Sequence, residues 1–383
     1  MIIGGTESVF VSTIDELAKN NDIRISIITH TKIREPLYVN WLKTHPEIPV
    51  YVYYPLHNFF EDLNKYCTFF PIKEIRRITF SLYKKYRRAV LRRRAFTDAD
   101  IIIDYKNYEF FRELRKIQDK PIITWMHSAL SYFEKYGYGA RFGHYTRIVG
   151  ITDEFVTKFK EHYPQYADKI VRIYNPINVQ GIIDKAQSVS VPQGKYFCHV
   201  SRLVDGKDIE TLMDAFDIFA KKHNDIKLYI IGDGYKANDF RRYANTLKSK
   251  DRIIFTGAMD NPYGIMRGAI ANILSSEYEG FGMVLIESQA LGTLCISSNC
   301  TSGPTEILQN GNAGMLFPIG DKNALAHCMH ETIARPTDAQ AMITAAAHGL
   351  DRFAVTPICT QIKQMIMDTY TDFKNKGQTN ENV

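Results

Sequence analysis

Two acidic residues and a pair of glycines in the C-terminal half have the types and spacing of a site for a phosphorylated sugar. Glu279 and Glu287 lie eight positions apart in the stretch 275–292, SSEYEGFGMVLIESQALG. Gly280 and Gly282 fall between an apolar run that predicts a buried strand and apolar residues at helical spacing. The first turn of that helix leaves backbone N–H groups free and attracts anions such as phosphate. The two carboxylates are suited to accept hydrogen bonds from sugar hydroxyls, although two solvated surface acids would give the same spacing.

Two cations follow another predicted strand, residues 196–200. Arg202 and Lys207 lie five positions apart in SRLVDGKD. On one loop they can converge on a polyphosphate, since arginine offers a bidentate fork and lysine a point charge. Two exposed, independent cations are the alternative. A further glycine pair, Gly232 and Gly234, ends the predicted strand 227–231, but without a third glycine it is a weak dinucleotide signal.

A histidine and a glycine turn are the candidates in the N-terminal half. His127 follows the predicted strand 121–125, at the strand end where open α/β sheets bind ligands. A loop histidine without function is the alternative.

Gly4 and Gly5 precede apolar residues at helical spacing, which predicts a glycine turn that opens a helix. Such a turn normally follows a strand, and only three residues precede it. Either the start of the chain is misassigned, which we favour, or the N-terminal sheet lacks its central strand.

These residues are positioned by alternating strand and helix patterns, which predict an α/β protein with parallel sheets. Apolar runs that predict strands recur along the whole chain, at 23–29, 50–54, 99–104, 121–125, 147–151, 196–200, 227–231, 252–256, 269–274 and 293–297. An apolar segment at 170–174 is followed by Asn175 and Pro176, and proline interrupts regular structure. We therefore place a domain boundary between about residues 175 and 190.

The composition is that of a soluble globular protein. The chain has 383 residues, enough for two domains, with 45% hydrophobic and 23% charged residues. Its 6 cysteines are scattered, which favours reduced thiols in the cytoplasm. We expect no transmembrane segment, no secretory signal and no metal site, although His327, Cys328 and His330 form a short cluster.

The positive charge is concentrated in one segment. Residues 73–94 carry a local charge of +9, whereas the whole chain has a net charge of +6. Apolar residues recur there at helical spacing, so the segment predicts an amphipathic basic helix. It is either a packed helix with a solvated face or a contact with an anionic membrane surface. We expect no nucleic-acid partner, since no nucleic-acid module accompanies the charge.

Taken in order, these motifs resemble retaining GT-B glycosyltransferases of family GT4, including capsule and exopolysaccharide members. Glu279 and Glu287 are separated by seven residues, a spacing that is similar to the EX7E motif of that family. The resemblance also covers Gly4 and Gly5, His127, the Arg202 and Lys207 pair, Gly232 and Gly234, and the turn at residues 302–306, and it is strongest from 196 to 310. In that turn Glu306 either faces the site or caps a helix.

The resemblance implies a fold of two Rossmann-like domains that face each other across a cleft. It implies residues 1–175 as the acceptor-side domain, with a C-terminal helix at about 355–373 that crosses back to it. Residues 190–350 would form the nucleotide-sugar domain, and we expect 374–383 to be disordered.

The resemblance also implies roles for the site residues. Arg202 and Lys207 would hold the donor diphosphate together with backbone groups of Gly280, Phe281 and Gly282. Glu287 would bind the ribose and Glu279 the donor sugar. Gly232 and Gly234 would also contact the donor. His127 would lie beside the transferred sugar. Gly4 and Gly5 would lie on the acceptor side.

The implied reaction is transfer of a sugar from a nucleotide diphosphate to a glycan or polyprenyl-linked acceptor, with retention of configuration and without a metal or other cofactor. The expected location is the cytoplasm or the cytoplasmic face of the membrane. The alternatives are a non-catalytic nucleotide-sugar-binding or scaffold homologue, and a sugar-nucleotide epimerase of the same fold. The sequence does not identify the base, the sugar, the acceptor or the linkage.

Overall fold

Parallel β-strands flanked by helices make up the structure, a computed structural model that describes residues 5–29, 33, 36–52, 70–105, 110–135 and 137–381. All pairs of strands in the three sheets are parallel. The α/β prediction is therefore confirmed. Gly4 lies outside the described residues, and Gly5 begins the first helix.

The N-terminal half alternates short strands and helices up to residue 187. Its strands are β1 (Ile27–Thr29), β2 (Val50–Val52), β3 (Ile102–Asp104), β4 (Ile122–Met126), β5 (Arg147–Gly150) and β6 (Ile170–Arg172). Its α-helices are α1 (Gly5–Ala18), α2 (Pro36–Thr44), α3 (Phe70–Ala95), α4 (Phe111–Leu114), α5 (Leu130–Lys135), α6 (Asp153–His162) and α7 (Val179–Gln187).

The C-terminal half continues the same alternation. Its strands are β7 (Lys195–Val200), β8 (Ile226–Ile231), β9 (Ile253–Gly257), β10 (Ala271–Leu274), β11 (Leu294–Ser298) and β12 (Met315–Phe317). Its α-helices are α8 (Ile209–Phe219), α9 (Ala237–Ala244), α10 (Tyr263–Gly268), α11 (Met283–Ala290), α12 (Pro304–Ile307), α13 (Lys322–Ala334), α14 (Pro336–Gly349) and α15 (Val355–Glu381).

The C-terminal sheet has six strands in the order β12-β11-β10-β7-β8-β9. The chain starts at the central strand β7, builds outward through β8 and β9, then returns to place β10, β11 and β12 on the other side. β7 is buried along most of its length, because helices cover both faces of a sheet wound in this way. Ligands of such sheets bind where the winding direction reverses, which here is between β7 and β10.

The N-terminal strands form two separate sheets. β1 pairs only with β2, and β3, β4, β5 and β6 form a second sheet in that order. Within the described residues no strand joins β1 to β3.

The last helix, α15, packs against α1. Thr356 donates a hydrogen bond to Glu16, Lys363 pairs with Asp22 at 3.1 Å, and apolar residues of α15 share a core with Leu17. The helix extends to Glu381, so the prediction of disorder from residue 374 differs from the structure. A helix already anchored by packing needs only propagation, not a new nucleus, to continue through polar residues.

Candidate active site

Three loops meet at the point where the C-terminal sheet reverses its winding. They follow β7, β8 and β10, which are neighbours in the sheet, and so they leave it at the same edge. Arg202 and Lys207 lie on the first loop, Gly232 and Gly234 on the second, and Glu279 on the third. The structure thus gathers onto one edge most of the C-terminal residues that the sequence analysis selected.

The first two loops contact each other through their backbones. Leu203 donates its N–H to the carbonyl of Asp233, and Lys236 donates its N–H to the carbonyl of Leu203. A Cβ at position 234 would lie 2.2 Å from the carbonyl oxygen of Leu203. Gly234 therefore serves first to let the two loops approach, because any side chain there would collide with backbone.

Lys207 and Glu279 form an ion pair between the first and third loops. The Lys207 Nζ lies 2.5 Å from the Glu279 Oε1, and the two side chains are only 17% and 12% exposed. Ser276 donates a second hydrogen bond to the same carboxylate oxygen, at 2.6 Å. Arg202, by contrast, is exposed, and its side chain has no hydrogen-bond or ion-pair partner within the described residues.

A buried histidine supports the base of the first loop. His199 is fully buried in β7, with Nδ1 2.7 Å from the Ile273 carbonyl and Nε2 2.7 Å from Ser201 Oγ. Burial lowers the pKa of His199 to about 4, so the ring is neutral at pH 7. The contact links β10 to Ser201, the residue directly before Arg202.

The glycine turn before α11 touches the N-terminal domain. Gly282 is the N-cap of α11 in the left-handed conformation, with φ of 99°. A Cβ at Gly280 would lie 2.2 Å from the carbonyl oxygen of His127, across the cleft. The Phe281 ring is buried against Tyr174 and Phe353. Only the backbone of Phe281 can therefore contact a ligand, because its side chain belongs to the core.

Glu287 lies on α11 in different surroundings from Glu279. The Tyr263 hydroxyl is 3.5 Å from its Oε1. Burial of the carboxyl group raises the pKa of Glu287 to about 7, although the hydrogen bond from Tyr263 and the charge of Lys185 oppose that rise. Near neutral pH the residue is divided between acid and carboxylate.

His127 follows β4, and its ring packs against the ring of Tyr105 with centroids 4.6 Å apart. Burial lowers the pKa of His127 to about 4, so the buried ring is a neutral imidazole at pH 7. A neutral ring can accept a proton or a hydrogen bond, whereas an imidazolium can only donate.

Glu306 connects the two domains. Its carboxylate accepts hydrogen bonds from the Tyr174 hydroxyl and from the backbone N–H of Asp153, which begins α6. Next to it, Ser302 donates its N–H to Glu154 at 2.7 Å. The Glu306 carboxylate therefore lies at the N-terminus of α6. The Glu154 carboxylate lies just before the start of α12. The capping interpretation of Glu306 thus holds for a helix of the other domain.

The histidines of the C-terminal cluster lie on the far side of this domain. His330 Nδ1 is 3.1 Å from His223 Nε2, and the His223 ring stacks on Phe219. Across the described ranges, no group of three or more His, Cys, Asp or Glu side chains is placed to hold a metal ion.

Several supporting residues were not identified from the sequence. Ser276, His199, Ser201 and Tyr263 each contact a selected residue or its loop. The available signal was polar residues inside apolar strands, such as His199 in YFCHV and Asn272 in ANIL. Asn272 donates to Ser288 of α11 at 2.7 Å and so fixes that helix to the sheet.

Comparison with known proteins gives one family and a set of relatives. Residues 182–349 match the family model of glycosyl transferases group 1. The lipopolysaccharide 1,6-galactosyltransferase of Salmonella typhimurium is 28% identical over 232 residues, 58% of this chain and 62% of that protein. The enzyme of the same name from Escherichia coli is 26% identical over 62% of this chain and 66% of its own length. The chain thus spans slightly less than two thirds of these curated relatives.

Solved structures match over nearly the whole chain. HepE of Anabaena in complex with UDP superposes with a TM-score of 0.70, covering 95% of this chain and 96% of that one at 18% identity. The lipopolysaccharide outer core galactosyltransferase WaaB in its apo form gives a TM-score of 0.69, with 96% of each chain covered and 20% identity. These likenesses confirm the predicted GT-B fold of two Rossmann-like domains.

Proposed function

We propose that the chain is a member of glycosyl transferases group 1, whose family model matches residues 182–349, and that it transfers a sugar from a nucleotide diphosphate to a glycan or lipid-linked acceptor in cell-surface glycan synthesis. Relatives with 28% and 26% identity are named for such a transfer. That favours an enzyme over a scaffold homologue.

The observation that carries the proposal is the Lys207–Glu279 pair at the reversal point of the C-terminal sheet. A cation held at this edge, with the exposed Arg202 on the same loop, is suited to a diphosphate. The adjoining carboxylate is suited to sugar hydroxyls. One site therefore offers partners for both halves of a sugar diphosphate.

We take UDP as the first nucleotide to test, since the similar structure of HepE was solved with UDP. In this proposal Glu287 accepts hydrogen bonds from the ribose, and backbone groups of the turn 280–282 contact the diphosphate. Gly232 and Gly234 complete the donor-side loops.

The proposed reaction retains the anomeric configuration and needs no metal. Arg202, Lys207 and the N-terminus of α11 would neutralise the charge that develops on the leaving diphosphate. The departing phosphate oxygen would take the proton of the attacking acceptor hydroxyl on the same face of the sugar. His127 lies on the acceptor side of this reaction centre.

The acceptor is proposed to lie at an anionic membrane surface on the cytoplasmic face. α3 exposes Ile78, Leu82 and Tyr86 at 52%, 60% and 66%, one helical turn apart. Basic residues accompany this apolar stripe, and a helix with both properties can lie in a lipid interface. No helix in the described part of the chain has the length and apolar character needed to cross a bilayer.

A binding and transfer experiment tests the proposal. Thermal melting in the presence of UDP, GDP or ADP would identify the base, because a ligand that binds only the folded state raises the melting temperature. Radiolabelled sugar transfer from the matching nucleotide sugar to lipid-linked acceptors then tests catalysis. We expect Arg202→Ala to abolish most of both signals and Arg242→Ala, on the exposed face of α9, to leave them intact. Absence of any nucleotide shift would contradict the proposal.

A further inference from the structure

Ser302 has a backbone conformation that a residue with a side chain rarely adopts. Its φ is 68°, in the left-handed region, and the residue is only 4% exposed. In this region the Cβ crowds the following carbonyl oxygen, so the conformation persists only where neighbouring groups hold it. The groups that hold Ser302 therefore shape the turn between β11 and α12.

One of these groups comes from the other domain. The Ser302 N–H donates to Glu154 Oε2 at 2.7 Å, and Glu154 lies in the first turn of α6. Lys158 of the same helix donates to the other carboxylate oxygen, Oε1, at 2.6 Å and so orients the group. A hydrogen bond to an ionised carboxylate is stronger than one between neutral groups. Glu154 thus has the geometry and the charge to hold Ser302 in place.

The residues on either side of Ser302 contact the glycine turn before α11. Thr301 forms an isolated parallel bridge with Tyr278. Gly303 packs backbone to backbone on Phe281, and a Cβ at position 303 would collide with the Phe281 carbonyl oxygen. A change in the backbone at Ser302 would therefore be passed to both ends of the glycine turn.

The supported turn carries Glu279, whose carboxylate pairs with Lys207 across the site. Beside it, Glu277 donates its N–H to the Gly206 carbonyl at 2.9 Å, which joins the turn to the loop of Lys207. A shift of the turn would move the carboxylate away from this cation. It would also move the backbone groups that are proposed to contact the diphosphate.

We propose that Glu154 is a positioning residue for the donor: through the backbone of Ser302 it holds the glycine turn before α11 in the shape that binds a sugar diphosphate. The inference rests on the proposed function. It implies that the contact between the domains and the binding of the nucleotide are linked, so that each strengthens the other.

Glu154→Ala and Glu154→Gln test this role by calorimetry with UDP. Alanine removes the acceptor of the Ser302 N–H, and we expect UDP affinity to fall about tenfold. Glutamine keeps a carbonyl oxygen that can accept the same N–H, so it should recover most of the affinity.

A second variant tests the strained backbone itself. Glycine adopts a positive φ without the steric penalty. Ser302→Gly introduced together with Glu154→Ala should therefore recover most of the UDP affinity that Glu154→Ala loses. Failure of both the glutamine and the glycine variants to recover affinity would overturn the proposal.

Tyr174→Phe and Glu161→Ala are the matched controls. The first removes another hydrogen bond between the domains, from Tyr174 to Glu306, and leaves Ser302 and Glu154 unchanged. The second removes an exposed carboxylate from the last turn of the same helix, α6. Both variants should bind UDP within about twofold of the wild type. An equal loss in Tyr174→Phe and Glu154→Ala would show a general loosening of the domains and overturn the proposal.

Amide hydrogen exchange without ligand separates this inference from the proposed function. The N–H groups of Glu277 and Leu285 are hydrogen-bonded at the two ends of the turn. In Glu154→Ala they should exchange about tenfold faster, with Ile230 in β8 as the reference. Faster exchange in a protein that binds no UDP would support the structural link and contradict the proposed function. Unchanged exchange with UDP binding intact would overturn the positioning role alone.

Discussion

The backbone of Gly280 lies against the carbonyl oxygen of His127, so that a Cβ at position 280 would stand only 2.2 Å from that oxygen. The contact joins the glycine turn before α11 to the end of β4 in the other domain. It fixes how closely the glycine turn and the end of β4 approach each other.

Gly280→Ala should therefore disturb the cleft. The methyl group meets backbone, which cannot rotate away, and overpacking of this kind costs about 1–3 kcal/mol. We expect a lower melting temperature and a transfer rate reduced about tenfold. Gly143→Ala is the matched control, since its nearest neighbour would be the movable Tyr166 hydroxyl at 3.0 Å. Wild-type rates in the Gly280 variant would contradict this account of the contact.

Lys207→Ala should weaken nucleotide binding. The substitution removes the cation that faces the proposed diphosphate and leaves Glu279 nearly buried without its counter-charge. We expect UDP affinity measured by calorimetry to fall at least about tenfold. Lys195→Ala is the control, because that side chain is 67% exposed and its Nζ lies 3.9 Å from Asp225 Oδ2, in a surface ion pair that contributes little to stability. Equal loss in both variants would indicate a general charge effect.

Glu287 should make the protein less stable as pH rises. Its folded pKa, about 7, lies above the ordinary value of 4.5, so between these pH values the folded state binds more protons than the unfolded state. The stability that Glu287 contributes when protonated is lost as pH rises from about 4.5 to 7, on the order of 2–3 kcal/mol.

The measurement is the free energy of unfolding against pH for the wild type and Glu287→Gln. His127 and His199 have pKa values lowered to about 4, and their stability contribution is lost as pH falls below about 6.5. Because these histidines are present in both proteins, the difference between the two curves isolates Glu287. A constant difference across this range would refute the assignment.

The Tyr174–Glu306 hydrogen bond should couple the domains energetically. Tyr174→Phe and Glu306→Ala each remove one partner, and the double variant removes both. We expect a double-mutant cycle on unfolding to give a coupling of about 1–3 kcal/mol. The surface pair Arg335 and Glu331, with side chains 65% and 25% exposed, serves as a comparison and should give less than about 1 kcal/mol.

The exposed stripe of α3 should bind anionic vesicles. Binding should fall as salt increases, since screening shortens the range of the basic residues. Replacing Ile78, Leu82 and Tyr86 together by Ser should reduce vesicle binding about tenfold and leave UDP binding unchanged. Neutral vesicles are the control in co-sedimentation. Salt-insensitive binding, or none, would exclude this surface as a membrane contact.

Site residues could be predicted from the sequence where they directly follow an apolar strand. Lys207 and Glu279 were selected because each lies on a loop directly after an apolar strand, and the strand pattern then places both loops at one sheet edge. Gly280 and Gly282 were found in the same way. The long basic helix was predicted from spacing alone and was observed as Phe70–Ala95.

What the sequence could not predict depends on contacts between distant segments. The Phe281 ring lies in the motif stretch, yet it packs against Tyr174 and Phe353 from two other parts of the chain. Glu306 bonds to α6 across 153 positions of sequence. His199 has no local signal beyond being polar within a strand, because its partner is a carbonyl of a neighbouring strand.

The separation of β1 and β2 from the remaining strands has a consequence for how the molecule unfolds. Their backbone ladder is shared with no other strand of the described sheets, and a two-stranded sheet alone is marginally stable in water. Ile14, Ile27, Trp41 and Ile48 form a small core of their own around it. We therefore expect the described residues from α1 to β2 to open at a lower free energy than β3 to β6, and faster amide hydrogen exchange in β1 than in β4 would show it.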